Sequence, residues 1–489
     1  MAGGSAAEGR SMGASARPSQ ARLSQERLSL GRIVVFALAG LPVGALAAAL
    51  LIYLPPHLAT QLGVPLAVVG AVWAMVRLID IGFDPVLGMV MDRTRTRIGR
   101  YRPWMLVGTP LMMAGVALLF FAPAGIGKGY LVGSLLVLYA AMSILGLAHP
   151  AWGARLARGY HDRSRIFGVM AAVAIVALLS VLTIPVVVAR AGINDAGAVH
   201  VMGWFLVVLT PVAVGLTAWL TPEPANPQAH DHSFALRDIL TVLRTPSLLR
   251  LYAAQLAMAL GPGWMSSLYL FFAKDFMGFT SAQASILLLF YVLAGLGGAP
   301  TTAWLANRIG KHRAIMVVAV TYSVGLLTVL LPPKGVVAWS IPVMLWCGFA
   351  GAGFEMTIRS MLADAADEVR LRDGRDRLSL IYSLNTAAAK LAAALAIVIT
   401  FPLLQRLGFV PVLGLANSPE AIRGLGVMFV AGPIGCVILG AVCMIGWKLT
   451  AERHAEIRAA LEARDAEAAI GASDGEHIAD VAAAEGAVA

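Results

Sequence analysis

Within one long apolar run the sequence sets three charges at helical spacing: Arg77, Asp80 and Asp84. Residues three and four apart share a helix face, so the two carboxylates lie one turn apart with the guanidinium beside them. Two such carboxylates cannot both ionise cheaply in a low dielectric; a cation sits between them or one keeps its proton. A site that is neutral when loaded and strained when empty meets the physical requirement for coupling to an ion. In the plainer reading Arg77 only neutralises Asp80, which leaves Asp84 without a partner. Glu355 and Lys390 are further charges in apolar surroundings, where mid-bilayer placement costs at least about 2.5–3.5 kcal/mol and points to function. Glu355 could pair with Lys390 to close an empty site, or with Arg359 one turn on; both stay open. His149, just before Pro150, could shuttle protons, since its unperturbed pKa is about 6.5, or could simply be hydrogen-bonded beside a helix kink.

The elements that carry these residues follow from composition. Of 489 residues, 59% are hydrophobic and 13% charged, and mean hydropathy is +0.78, whereas soluble domains average about 25% charged. Such a chain is an all-α polytopic membrane protein. Twelve apolar runs reach the roughly 20 residues that a crossing helix needs: 33–54, 66–91, 103–123, 130–153, 166–189, 199–220, 249–273, 281–306, 313–332, 336–363, 378–405 and 425–447. Twelve spans put both ends of the chain on one side. That side holds 29 Lys/Arg and the opposite loops hold 6, so the excess-cation rule makes both termini cytoplasmic, in the cell membrane. The net charge of +10 is therefore a topology signal with anionic headgroups as partner, and nucleic acid is excluded. Cys347, Cys436 and Cys443 lie in apolar runs and read as packing residues rather than a disulfide or a metal site.

Two loops repeat one pattern. Arg97-Ile98-Gly99-Arg100-Tyr101-Arg102 follows the second run, and Arg308-Ile309-Gly310-Lys311-His312-Arg313 follows the eighth. A pattern recurring at the same place in each group of six indicates two halves related by an axis along the membrane normal. The expected organisation is a disordered cytosolic tail over 1–31, a six-helix half over 32–221, a linker over 222–248, a second half over 249–449 and a C-tail over 450–489, frayed helix or disordered. Asp92, beside Arg93, Arg97, Arg100 and Arg102, suggests a cytosolic charge latch that exchanges partners as the halves rock, with Asp364 at the same end of the second half.

Asp80-Ile81-Gly82-Phe83-Asp84-Pro85, followed by Asp92-Arg93-Thr94 and Gly99-Arg100-Tyr101-Arg102-Pro103-Trp104, resembles the signature of the glycoside–pentoside–hexuronide:cation symporters. These are the melibiose-permease branch of the major facilitator superfamily. Ala363-Asp364-Ala365-Ala366-Asp367, the stretch Ser379–Thr386 and Lys390 resemble the family's span-ten to span-eleven region, and Pro150, Trp152 and Arg165 match around span four. The likeness runs from span one into span eleven. It implies that Asp80 and Asp84 bind the coupling cation, that Trp152 stacks on substrate and that Lys390 lies at the substrate site. Glu355 falls where the family has a substrate-contacting tryptophan. Departures are specific. A family asparagine and threonine near the cation correspond to Phe83 and Leu145, and the sugar-binding carboxylates of spans one and four to Gly44 and Ala148; a span-five arginine corresponds to Val173.

The sequence thus reads as a monomeric cation symporter of sugar or glycoside type working by alternating access. Asp80 and Asp84 hold the ion; Arg77, His149, Trp152, Glu355 and Lys390 surround the substrate; Asp92, Arg93, Arg100, Arg102 and Asp364 form the cytosolic gate. No cofactor is expected beyond the coupling ion, H⁺ or Na⁺. Sodium needs several oxygens and a proton needs one base, so the missing ligands favour the proton at least equally. The missing carboxylates keep a non-sugar or amphiphilic solute open within the same mechanism, and a non-transporting membrane sensor is the reading from another class. No H-E-x-x-H, Walker A or G-x-S-x-G pattern suggests an enzyme.

Overall fold

The computed structural model describes residues 29–156, 160–223, 236–375 and 377–464. Among these the chain is helical throughout, apart from short turns and one isolated bridge between Thr96 and Gly99. The first span is segmented: α1 (Leu30–Ala37), α2 (Gly40–Ala48), a π-helical turn (Ala49–Tyr53) and α3 (Leu54–Thr60). Then come α4 (Leu66–Arg93), α5 (Arg102–Phe120), α6 (Lys128–Leu156), α7 (Tyr160–Arg190) and α8 (Asp195–Leu220). A short helix, α9 (Leu236–Leu243), precedes α10 (Pro246–Phe271), α11 (Ser281–Ile309), α12 (Lys311–Thr328), α13 (Val337–Gly351), α14 (Gly353–Asp373), α15 (Leu378–Arg406) and α16 (Pro419–Val442).

Among the described residues, eleven stretches are long and apolar enough to cross a membrane, one fewer than the expected runs. The difference is α12. It has 18 residues and opens on Lys311-His312-Arg313, which lowers its mean hydropathy, yet it packs as the ninth helix with Ile315, Tyr322 and Leu326 fully buried. The expected run at 336–363 is divided into α13 and α14 at Gly351-Ala352-Gly353, where two poor helix formers sit together. In α13, Gly348 approaches the α11 backbone so closely that a Cβ there would overlap the Tyr291 carbonyl.

Local signals place the helix starts. Asn194 accepts from the Gly197 amide at the start of α8, and Thr280 with Gln283 forms a reciprocal capping box at α11. Prolines fall inside α4, α5, α6 and α7. Pro85 has no N–H, so the Ile81 carbonyl loses its helical donor beside Asp84.

Contacts between the two six-helix groups run mainly along α4 with α15 and α7 with α11. Among the described residues, hydrogen bonds and ion pairs cross between them midway along α4 and at the end away from the chain termini. At that far end Tyr53 and Ser285 hydroxyls share a 2.7 Å bond, the Ala67 amide donates to Gln405 at 2.9 Å, and Lys274 meets Asp195 at 2.5 Å. A cavity of about 250 Å³ lies among Tyr53, His57, Asp195, Lys274 and Asp275. The tail expected to be frayed or disordered instead forms a packed helix over 451–464, with Ile457 and Leu461 buried. The rest of that expectation, 465–489, and the N-tail over 1–28 lie outside the described residues.

Candidate functional site: a four-charge cluster between the halves

The charge cluster sits where α4, α6 and α15 meet. Asp80 is buried, its side chain 2% exposed, and three groups satisfy it. The Ser143 hydroxyl of α6 donates to Oδ1 at 2.6 Å, while Arg77 Nη1 and Lys390 Nζ donate to Oδ2 at 3.1 and 3.3 Å. Lys390 Nζ also bonds Asp84 Oδ2. The second oxygen of Asp84, Oδ1, is buried without a partner. Arg77 in addition reaches the Lys390 carbonyl at 3.5 Å and lies 5.0 Å over the Tyr139 ring.

Two cations and two carboxylates make the cluster formally neutral. The positive charge between Asp80 and Asp84 is the Lys390 ammonium, held by a helix of the other half. This revises two expectations. Lys390, placed with the substrate by resemblance, sits at the carboxylate pair; and the reading in which Arg77 alone neutralises Asp80 is incomplete, because Asp84 has its own partner. The rest of the expected substrate shell is dispersed. Glu355 is bonded to Arg359 at 2.7 Å and to Gln255 at 2.7 Å, so the Glu355–Lys390 pair does not form. Trp152 is fully buried, edge-on to Phe36 at 5.7 Å, with its indole N–H 3.4 Å from the Pro222 carbonyl; here it is a packing residue. His149 is buried, and its Nε2 donates to the Phe36 carbonyl at 2.8 Å. That bond fixes the tautomer and fits a structural histidine.

Two of the expected latch residues, Asp364 and Arg102, bind within their own halves. Asp364 takes two bonds from Lys311 Nζ, at 2.9 and 2.6 Å, with His454 of the 451–464 helix 3.7 Å away. Arg102 donates to the Thr221 carbonyl at 2.8 Å and lies 5.6 Å over Trp152. The backbone amide of Arg100 donates to Glu223, and Arg93 lies in the last turn of α4. The side chain of Asp92 lies outside the described residues.

Glu223 organises this loop, and sequence reasoning missed it. Its carboxylate accepts from the amides of Arg100, Tyr101 and Arg102 at 2.7, 2.8 and 3.1 Å, an anion at the start of α5. Gly99, at φ +121°, leaves the space; a Cβ there would overlap that carboxylate. A second repeat could have revealed it. Leu220-Thr221-Pro222-Glu223 follows the sixth span, and Leu449-Thr450-Ala451-Glu452 follows the twelfth. Glu452 is exposed, and the Thr450 hydroxyl, its own backbone amide and the Arg313 charge hold its carboxyl below the usual range.

A helix bundle in two groups of six, with charges neutralising one another between the groups, defines a membrane transporter rather than an enzyme. Its architecture is that of the major facilitator fold: the nucleoside transporter NupG superposes with a TM-score of 0.61 at 15% identity, covering 86% of this chain and all of that one. The chain belongs to the MFS/sugar transport protein family, whose model matches residues 35–451, and is thus a secondary transporter of the sugar and glycoside class. Similar proteins include the isoprimeverose transporter of Lactiplantibacillus pentosus, 24% identical over 79% of this chain and 82% of that protein. The glucuronide carrier protein homolog of Escherichia coli K12 is 23% identical over 81% of this chain and 87% of its own length.

Proposed function

We propose that the protein is a proton-coupled symporter of a small solute, with both termini cytoplasmic and the described conformation closed on the outer side. The observation that carries this reading is Lys390 Nζ bonded to both Asp80 and Asp84. An internal ammonium already balances the pair, so a metal cation must displace it and then find oxygens to replace its water. The site offers few. Ser143 supplies one hydroxyl, and the positions that could add ligands are Phe83 and Leu145. A proton needs only Asp84, whose Oδ1 has no partner. Protonation of Asp84 would release Lys390 from it, and with Lys390 the hold between α4 and α15.

The relatives' names supply a first solute panel, isoprimeverose and glucuronides. In proteoliposomes, uptake should follow an imposed pH gradient, acidic on the side that is extracellular in the cell, and be lost in Asp84→Asn. Accumulation that requires sodium and survives collapse of the pH gradient would overturn proton coupling.

A further inference from the structure

Beside the Arg77–Asp80 pair, between the first span, α4, α6 and α15, lies a cavity of about 160 Å³. Helices of both halves wall it, so it sits where alternating access needs the solute to sit. Its wall is apolar: Leu50, Leu51, Met142, Ala393 and Ile397. Trp73 adds an aromatic side, and the remaining polar groups are Arg77 and Tyr139. Arg77 and Tyr139 are already engaged with one another, and the four-charge cluster next to them sums to zero, so nothing here calls for a charged solute.

A sugar fits this wall badly. Each ring hydroxyl both donates and accepts, and one that is dehydrated without a partner costs on the order of tenfold in affinity. Gly44 and Ala148, which the resemblance matches to sugar-binding carboxylates, carry none and do not line the cavity. A Cβ on Gly44 would already lie 3.1 Å from the Ala177 Cβ of α7, and Ala148 is fully buried. By size, a cavity near 150 Å³ with an apolar lining admits a benzene-sized body.

We infer that this cavity takes the apolar, ring-sized part of a neutral solute, such as the aglycone of an aryl glycoside, with one acceptor atom turned to Arg77. The inference rests on the symporter reading, whose substrate class it specifies. Trp73 and Tyr139 supply the aromatic faces, the alkyl side chains exclude water, and any hydroxylated portion stays outside the cavity.

The test is a thermal-shift titration of the protein in nanodiscs with phenyl β-D-glucopyranoside, methyl β-D-glucopyranoside and acetophenone. Phenyl glucoside should bind at least about tenfold more tightly than methyl glucoside, and acetophenone should compete with it. Ala393→Phe fills the cavity and should erase the phenyl preference; Ala393→Leu, a smaller intrusion, serves if the larger one fails to fold. Equal affinity for the two glucosides, or a preference that survives both substitutions, overturns the inference. The two readings fail separately. If phenyl glucoside is preferred but no ion gradient accumulates it, the cavity assignment stands and symport falls. If methyl glucoside is accumulated with the pH gradient and the phenyl group brings nothing, symport stands and the cavity assignment falls.

Discussion

Replacing Lys390 by methionine removes the ammonium that Asp80 and Asp84 share and keeps most of the side chain's apolar length. Asp80 retains Arg77 and Ser143; Asp84 loses its partner. Breaking a buried ion pair on one side costs about 3–5 kcal/mol. This pair is partly open, with side chains 25% and 17% exposed, so the lower end applies. A second limit comes from protonation. Neutralising a freely solvated aspartate, with a pKa near 3.9, costs about 4 kcal/mol at pH 7 and about 2 kcal/mol at pH 5.5. The lysine variant can always escape by that route, so its deficit should shrink by up to about 1.4 kcal/mol per pH unit of acidification. The sign follows from linkage: the folded variant binds a proton that its unfolded chain releases, so its stability falls as pH rises. Asp84→Asn with Lys390→Met removes both charges and should recover about 2 kcal/mol of the single variant's loss. Equilibrium unfolding of the four proteins of this cycle at pH 5.5 and 7.5 measures both effects. Additive losses, independent of pH, would refute the view that Lys390 is the counter-ion of Asp84.

The remaining contacts make smaller predictions. Glu223→Ala leaves three amides at the start of α5 without an acceptor and should cost about 1–3 kcal/mol in unfolding free energy, while Glu452→Ala, at the matching exposed position, should change stability little. Ser143→Ala takes a 2.6 Å donor from Asp80 and should destabilise by about 1–3 kcal/mol; Ser143→Thr should recover part of that in the same assay. Lys274→Met opens the Lys274–Asp195 pair at the end away from the chain termini, whose side chains are 35% and 46% exposed. Stability should fall by no more than about 1 kcal/mol, but a cysteine placed at Thr60 should label faster with a membrane-impermeant maleimide.

The bundle was legible because the bilayer admits few solutions: runs of apolar residues must be helices, and charges within them stand out. Asp80, Asp84 and Arg77 were found by spacing alone, and they do lie together. What spacing within one helix cannot give is the partner from another. Lys390 is 306 residues from Asp84, and the resemblance assigned it to the substrate. Glu355 had two candidate partners in sequence; the one four residues away on its own helix is the one observed, joined by Gln255 of α10, which no pattern flagged. Trp152 and His149 carry chemistry by type, but burial against Phe36 has absorbed both. α12 escaped a hydropathy criterion because its three opening residues are basic, although its buried face is as apolar as its neighbours'.

Under the proposed mechanism a single side chain would tie ion coupling to closure. Lys390 belongs to α15, and the carboxylates belong to α4, so every bond between them joins the two halves. Losing the negative charge on Asp84 leaves Lys390 only Asp80, which Arg77 and Ser143 already satisfy, and the link between the halves weakens at that point. Pro85 makes α4 least stiff there, since the freed Ile81 carbonyl removes one rung of the helix beside Asp84. The apolar cavity touches the cluster through Arg77, which is bonded to Asp80. Symport of the proposed kind requires that solute bound there and a proton taken up at the pair favour one another. Reciprocity requires that proton uptake favour the solute by the same factor, which is the thermodynamic content of symport.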